Sequence, residues 1–197
     1  MNMLRLIGDV HGKLWEYEKL LTCEHPTVQI GDLGAGFLPI PEYEDKDRFL
    51  RGNHDSPDVC RNMTNWIPDG TVEGTVMYIG GAWSIDHANR IPGISWWHDE
   101  ELSWPELQRM IEIATTEIPR IIITHDAPTA AIEGHLMRGK RIQTRTTAAL
   151  DVILEYAPPA LWVFGHWHKT VRHSVGPTTF QCLGELDYID VDLDSII

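Results

Sequence analysis

The sequence predicts an α/β fold, and three observations carry that prediction. Short apolar runs alternate along the chain with segments patterned as helices. Two of the runs, Ile121-Ile122-Ile123 and Leu161 to Phe164, are apolar throughout, as strands covered on both faces are. Five runs end in a glycine or threonine and hand over at once to Asp, Asn or His, which suits the rim beyond the carboxyl ends of sheet strands, where α/β folds bind ligands.

Taken in order, Met3 to Ile7 is the first predicted strand, breaking at Gly8 into Asp9-Val10-His11-Gly12. Side chains two apart on an extended segment point the same way, so Asp9 and His11 are expected to converge. Leu14, Trp15, Tyr17, Glu18, Leu20 and Leu21 pattern a helix, closed by His25-Pro26. Thr27 to Ile30 is the second strand, followed by Gly31-Asp32-Leu33-Gly34-Ala35-Gly36. Those glycines match neither the Rossmann nor the P-loop spacing and are read as loop geometry. The acidic, proline-bearing stretch Pro39 to Asp47 reads as a solvated connection.

Arg48 to Leu50 ends the third strand and delivers Arg51-Gly52-Asn53-His54-Asp55. Asn53 offers a neutral oxygen ligand, His54 a group that carries a proton near neutral pH, and Asp55 a partner to orient that imidazole. Ser56 as N-cap and Pro57 at the first position open a helix expected to reach about Trp66. Val76 to Ile79 and Ala82 to Ile85, parted at Gly80-Gly81, pattern two strands of a second sheet. The aromatic and polar segment from Asp86 to Trp104 suits a substrate-facing loop, although Trp96 and Trp97 are read as buried anchors, the commoner role of such residues. Ser103-Trp104-Pro105-Glu106 has capping-box spacing and opens a helix to about Glu117.

Arg120 to Thr124 ends at His125-Asp126-Ala127-Pro128, and Thr144 to Tyr156 is an amphipathic helix stopped by Pro158-Pro159. Leu161 to Phe164 ends in Gly165-His166-Trp167-His168, repeating the two-apart pattern of Asp9 and His11. Val171 to Val175, Thr178 to Leu183 and Tyr188 to Val191 pattern closing antiparallel strands. No repeat or linker interrupts the chain, so one domain over residues 1–197 is expected.

Composition bounds the function. No stretch approaches the ~20 apolar residues of a membrane span, and no signal-peptide core opens the chain, so a cytoplasmic setting is expected. Three cysteines without metal-ligand spacing fit free thiols in a reducing compartment. The net charge of −13 argues against an extended nucleic-acid surface or an anionic membrane partner. A phosphate-bearing substrate would need a locally positive site.

Asp9, His11, Asp32, Asn53, His125, His166 and His168 supply that site if their strands neighbour one another, whereas His25, His87, His98, His135 and His173 read as ordinary surface or satisfied polar residues. Two carboxylates, one amide oxygen and four imidazoles exceed one ion's needs and suffice for two, with one carboxylate bridging. The nitrogen content selects divalent transition metals over Ca or Mg, with manganese expected first and Fe, Ni, Co or Zn after it. Two ions ~3.5–4 Å apart are the arrangement that activates hydroxide and stabilises both oxygens of a phosphoryl displacement.

In order, Asp9-x-His11, Gly31-Asp32, Gly52-Asn53-His54-Asp55, His125 and Gly165-His166-x-His168 resemble the motif set of calcineurin-like metallophosphoesterases. The resemblance spans residues 9 to 168. It implies the metallophosphoesterase fold, a four-layer α/β/β/α sandwich of two mixed β-sheets flanked by helices. It further implies one metal on Asp9, His11, Asp32 and His168 and another on Asp32, Asn53, His125 and His166, with Asp32 as the bridge. A metal-bridging hydroxide would attack phosphorus, and His54, which is not a ligand, would protonate the leaving oxygen with Asp55 behind it.

One departure bears on the substrate. Protein-phosphatase members resemble Gly-Asp-x-x-Asp-Arg-Gly at the second motif, whereas Gly34-Ala35-Gly36 stands here, without the second Asp and the phosphate-gripping Arg. Arg51 does match the protein-phosphatase form of the third motif. The expectation is a small phosphodiester substrate, cyclic nucleotides among the examples, with Arg51 or Arg90 as substitute clamp. A phosphomonoesterase or serine/threonine protein phosphatase is the alternative, ahead of a non-catalytic metal-binding scaffold or a nuclease.

Overall fold

A computed structural model describes residues 2–136 and 143–196. Strands β1 (Met3–Ile7), β2 (Thr27–Gln29) and β3 (Asp47–Phe49) run parallel, and β10 (Tyr188–Asp192) pairs antiparallel with β1, giving a four-stranded sheet ordered β10-β1-β2-β3. The second sheet has six strands. Its order is β4 (Val72–Glu73), β5 (Val76–Ile79), β6 (Ile121–Thr124), β7 (Leu161–Phe164), β9 (Thr178–Cys182) and β8 (Val171–Val175). Here β5, β6, β7 and β9 are parallel while β4 and β8 form antiparallel edges, so both sheets are mixed.

Alternation of side chains along each strand builds the layers. Leu4, Leu6 and Val28 of the first sheet meet Val76, Tyr78, Ile121, Ile123 and Val163 of the second in one buried cluster between the sheets. The intervening residues Met77, Ile122, Trp162 and Phe164 face the other way, onto helices α3 (Trp104–Glu117) and α5 (Arg145–Tyr156). Ile7 and Phe49 likewise turn outward onto Tyr17 of α1 (Leu14–Leu20) and Cys60 of α2 (Pro57–Arg61). Four layers result, as the fold class requires. Truncating a fully buried member such as Ile123 to Ala would cost ~2–5 kcal/mol through lost burial and the cavity left behind.

Helix starts follow the local chemistry. Ser103 and Glu106 form the expected capping box of α3, whose Leu107, Met110 and Ala114 supply the buried stripe, and Thr144 caps α5 by accepting the Thr147 N–H.

Several expectations need correction. Helix α2 stops at Arg61, well short of Trp66, because the chain returns to β3: Phe49 N–H donates to the Asn65 carbonyl at 3.0 Å and Ile67 N–H to the Phe49 carbonyl at 2.9 Å. Ala82 to Ile85 is not a strand, since its backbone turns to other partners, Ser84 N–H donating to the Glu100 carboxylate at 2.7 Å. The closing strands do pair antiparallel, β8 with β9 and β10 with β1, but β9 also runs parallel to β7 and β10 lies in the first sheet. The short strand β4 and the one-turn helix α4 (Thr129–Ile132) were not anticipated. Among the described residues no helix is long and apolar enough to cross a membrane.

Candidate metal centre

The parallel strands of both sheets deliver their polar followers to one rim. Asp9 follows β1, Asp32 follows β2, Asn53 follows β3, His125 follows β6 and His166 follows β7. Close approach explains two of the motif glycines. A Cβ at Gly52 would overlap the Asp32 carboxylate, and one at Gly165 the Asp9 carboxylate, so only glycine lets these loops nest.

Convergence arises differently from the extended geometry expected. His11, Asp32, His166 and His168 have φ of 48°, 62°, 64° and 49°, so the loops curl through the left-handed region and bring the side chains together by turning. Backbone N–H groups then aim the carboxylates. His54 N–H donates to Asp32 Oδ1 at 2.7 Å and His166 N–H to Asp9 Oδ1 at 3.0 Å.

Two groups of ligand atoms form, Asp9, His11, Asp32 and His168 in one and Asp32, His125 and His166 in the other, each set lying within 4.8 Å. Asp32 belongs to both. Asn53 Oδ1 joins the second group, 3.0 Å from His125 Nε2 and 2.9 Å from His166 Nδ1. In the first group His11 Nε2 and His168 Nε2 face each other at 2.9 Å, and His168 Nε2 lies 3.1 Å from Asp9 Oδ2.

The donor set fits divalent cations. Asp32 Oδ2 is buried without a hydrogen-bond partner among the described residues and Asp9 Oδ2 has only the close approach of His168 Nε2, a costly condition unless a cation completes them. His125 Nδ1 donates to the Ile30 carbonyl at 2.9 Å, fixing the tautomer whose Nε2 lone pair points into the cluster. Burial works against charge on His125, but Asp32, Asp9 and that carbonyl outweigh it and raise its pKa to about 10. Asp32, which burial alone would raise, is held well below the usual carboxylate range by His125, His54 and His11. The clusters suggest divalent metal ions.

His54 borders this centre without joining either group. Its Nε2 accepts from Arg90 Nη2 at 2.6 Å, while Arg90 also pairs with Asp86 at 2.6 Å. Burial, with Arg90 beside it, pushes the His54 pKa down to about 4 against the pull of Asp32.

Two expectations fail here. Asp55 does not back His54; its fully buried carboxylate accepts from the N–H groups of Leu33, Gly34, Ala35 and Gly52 at 2.7–3.2 Å, tying the Asp32 loop to the Asn53 loop. Arg51 does not face the cluster. It is 3% exposed, its Nε donates to Asp69 at 3.0 Å, and its Nη1 donates to the carbonyls of Asp99 and Glu100. The guanidinium is consumed by structure.

Residues the sequence did not single out complete the surroundings. Asn53 Nδ2 donates to Ser84 Oγ at 3.0 Å, and Ser84 Oγ donates to the buried Glu100 at 2.7 Å, fixing which end of the amide faces the ligand group. A cavity of about 460 Å³ opens over Asp32, Asn53 and His166, walled by Trp83, Ile85 and Trp167 with Arg90 on its side. Trp96 and Trp97 do not line it, and Trp97 packs edge-on against Phe37 with centroids 5.3 Å apart, in keeping with a structural role.

Comparison with known proteins bears on this centre. The family model described as calcineurin-like phosphoesterase matches residues 4–170. No curated protein matches the sequence. Among solved structures, a Staphylococcus aureus protein assigned provisionally as a 5'-nucleotidase aligns over 96% of this chain and 50% of its own, with 12% identity and a TM-score of 0.54. The chain therefore spans half the length of that structure, and the likeness is one of fold. Phosphopantetheinyl hydrolase from Mycobacterium tuberculosis aligns over 93% of this chain and 89% of its own at 12% identity, with a TM-score of 0.46.

Proposed function

We propose, from the premise that this chain belongs to the calcineurin-like phosphoesterase family and is a metal-dependent phosphoesterase, that its centre holds two divalent transition-metal ions and hydrolyses small phosphodiesters. The observation that carries the reading is the pair of buried carboxylate oxygens on Asp9 and Asp32, short of hydrogen-bond donors inside a ring of imidazoles. Asp9, His11, Asp32 and His168 would hold one ion, and Asp32, Asn53, His125 and His166 the other, with Asp32 shared. The four imidazoles suit Fe, Ni, Co or Zn, and the two carboxylates with the Asn53 amide oxygen suit manganese, which we take first. Bound there, such ions supply the Lewis acidity that lowers the pKa of water and offsets phosphoryl charge.

The chain's own groups do the rest. Arg90, held at the cavity by Asp86, turns its guanidinium from His54 to a phosphate oxygen and so fixes the substrate's position. His54, freed of that hydrogen bond, is the group in reach of the leaving oxygen, and an anionic phosphate bound beside it would raise its pKa from about 4 and let it carry the proton it hands over. Trp83, Ile85 and Trp167 exclude water from the ester's organic part. The availability of Arg90 favours a second reading, a phosphomonoesterase, in which the guanidinium balances the extra charge of a dianion. The free state of Cys23, Cys60 and Cys182 supports an intracellular setting.

The test is p-nitrophenol release from bis-p-nitrophenyl phosphate and from p-nitrophenyl phosphate by manganese-loaded protein. The diester is expected to turn over with the higher kcat/KM. A higher kcat/KM for the monoester would favour the second reading, and no release from either would end both. His54→Ala is expected to keep both ions but to slow esters with poor leaving groups by ~10²–10⁴-fold. Asp32→Ala is expected to strip them.

A further inference from the structure

Two cavities meet at His54. The larger lies over Asp32, Asn53 and His166; a second, of about 240 Å³, lies beside His11 and is lined by Gly34, Phe37 and Leu38. His54 is the residue common to both, and its ring stands 5.0 Å from that of His11. The two differ in chemistry. The larger presents Trp83 and Trp167 with Thr144 and Thr147, and among the described residues its charged lining beyond the shared Asp32 is Asp86, Asp126 and Arg90. The smaller has no acid among the described residues and is walled by aliphatic and aromatic carbon, Phe37 being 46% exposed.

A phosphomonoester has one organic arm and needs one cavity, and a cyclic diester carries both ester oxygens in one ring on one side of phosphorus. A linear diester has two arms that diverge. We infer that the site takes a linear phosphodiester with two uncharged arms, a flat aromatic one lying against Trp83 and Trp167 and a smaller aliphatic one lying against Phe37 and Leu38. The inference rests on the phosphodiesterase reading above and deepens it.

The arms are uncharged because the acids are placed to reject anions. Among the described residues, a further phosphate on the flat arm would meet Asp86 and Asp126, with Arg90 already engaged by the reacting phosphate. Hydrogen-bond donors on that arm, such as ring N–H or hydroxyl groups, find acceptors in the same carboxylates and threonines. The aliphatic cavity offers no polar side chain beyond the two imidazoles at its base. Hydrolysis then consumes one water: its oxygen bonds to phosphorus, one P–O ester bond breaks, and the departing arm leaves as an alcohol after taking up a proton. The other arm stays on phosphorus as a monoester.

A homologous series of p-nitrophenyl alkyl phosphates, methyl to propyl, tests this with the manganese-loaded full chain. With the leaving group constant, kcat/KM of the unmodified protein is expected to rise about 4-fold per added methylene, the worth of burying one CH₂. In Phe37→Ala and Leu38→Ala the slope is expected to flatten. Phe37 is half-exposed, so its variant should retain the native near-UV circular dichroism. Trp83→Ala is expected to raise KM for every p-nitrophenyl ester by on the order of 10-fold, the upper range for an aromatic stacking partner, with a smaller effect on kcat. Equal slopes in all three proteins, or a 3',5'-cyclic nucleotide outrunning the propyl ester, would overturn the two-arm site. Release from the monoester p-nitrophenyl phosphate with every diester untouched would overturn it too, while leaving phosphoesterase activity standing. Release from no ester at all would remove the premise on which both rest.

Discussion

Replacing Glu100 by Gln changes one atom of a buried side chain, yet it should weaken a metal site that Glu100 does not touch. Glu100 accepts from Ser84 N–H through Oε1 and from Ser84 Oγ through Oε2, both at 2.7 Å. With its proton committed to Glu100, Ser84 Oγ can only accept from Asn53 Nδ2, and Asn53 Oδ1 is left facing His125 and His166. A glutamine amide puts a donor against one of the two Ser84 groups. If it donates to Oγ, the serine proton swings toward Asn53, whose amide must flip and turn N–H groups on the metal position. If it turns the other way, two N–H groups collide. Loss of an orienting partner of this kind weakens metal binding ~10–100-fold, equivalent to about 1.4–2.8 kcal/mol. Ser84→Ala removes the acceptor without reversing it and is expected to cost only about 5-fold, one neutral hydrogen bond. Calorimetric titration of metal-free protein with manganese should resolve two binding steps, one weakened in Glu100→Gln and one within about 3-fold of its original value. Two unchanged steps would refute the relay. Equal weakening of both would assign the effect to general damage.

The other predictions concern stability. Arg51→Ala takes the Arg51 donor from Asp69 Oδ2, whose carboxylate keeps only the Gly80 N–H, and from two carbonyls, and is expected to cost ~3–5 kcal/mol, a fall of ~6–20 °C in Tm for a chain of this size. An unchanged Tm with a raised KM would mean that Arg51 grips substrate after all. The Arg5 hydrogen bond, with His25 behind it, lowers the Asp190 pKa to about 2 and ties β10 to β1. A carboxylate whose folded pKa lies below its unfolded value stabilises above pH ~4 and loses that contribution as pH falls toward 2. Asp190→Asn is therefore expected to cost at most ~1 kcal/mol at neutral pH, the pair being partly exposed. Denaturant midpoints of the two proteins should converge near pH 2, and a gap that widened there would contradict the assignment.

The clustering of Asp9, His11, Asp32, Asn53, His125, His166 and His168 was legible because each follows a strand end, and strand ends are written locally in an apolar run and a glycine or threonine. Asp55 was misread because neighbouring positions suggest neighbouring side chains, whereas its four partners are backbone N–H groups, three of them from the loop after β2. Arg51 was misread for the converse reason: its acceptors at residues 69, 99 and 100 are remote in sequence, and no spacing rule reaches them. Ala82 to Ile85 has the composition of a strand but hydrogen-bonds to a side chain, a tertiary choice that overrides propensity. Ser84 and Glu100 had no signal to read. Each is an ordinary residue in an ordinary run, and only their juxtaposition with Asn53 gives them a role.

The left-handed backbone at His11, Asp32, His166 and His168 sets the chemistry against the scaffold. Non-glycine residues there cost on the order of 1–3 kcal/mol each, a sum comparable to the whole stability of many domains. Substituting glycine at these positions relieves the torsional cost and thins the crowd of buried charge, so the inert protein should be harder to unfold than the active one. Selection for durability alone would erase these residues, and their joint presence in one chain is the mark of a use that outweighs it.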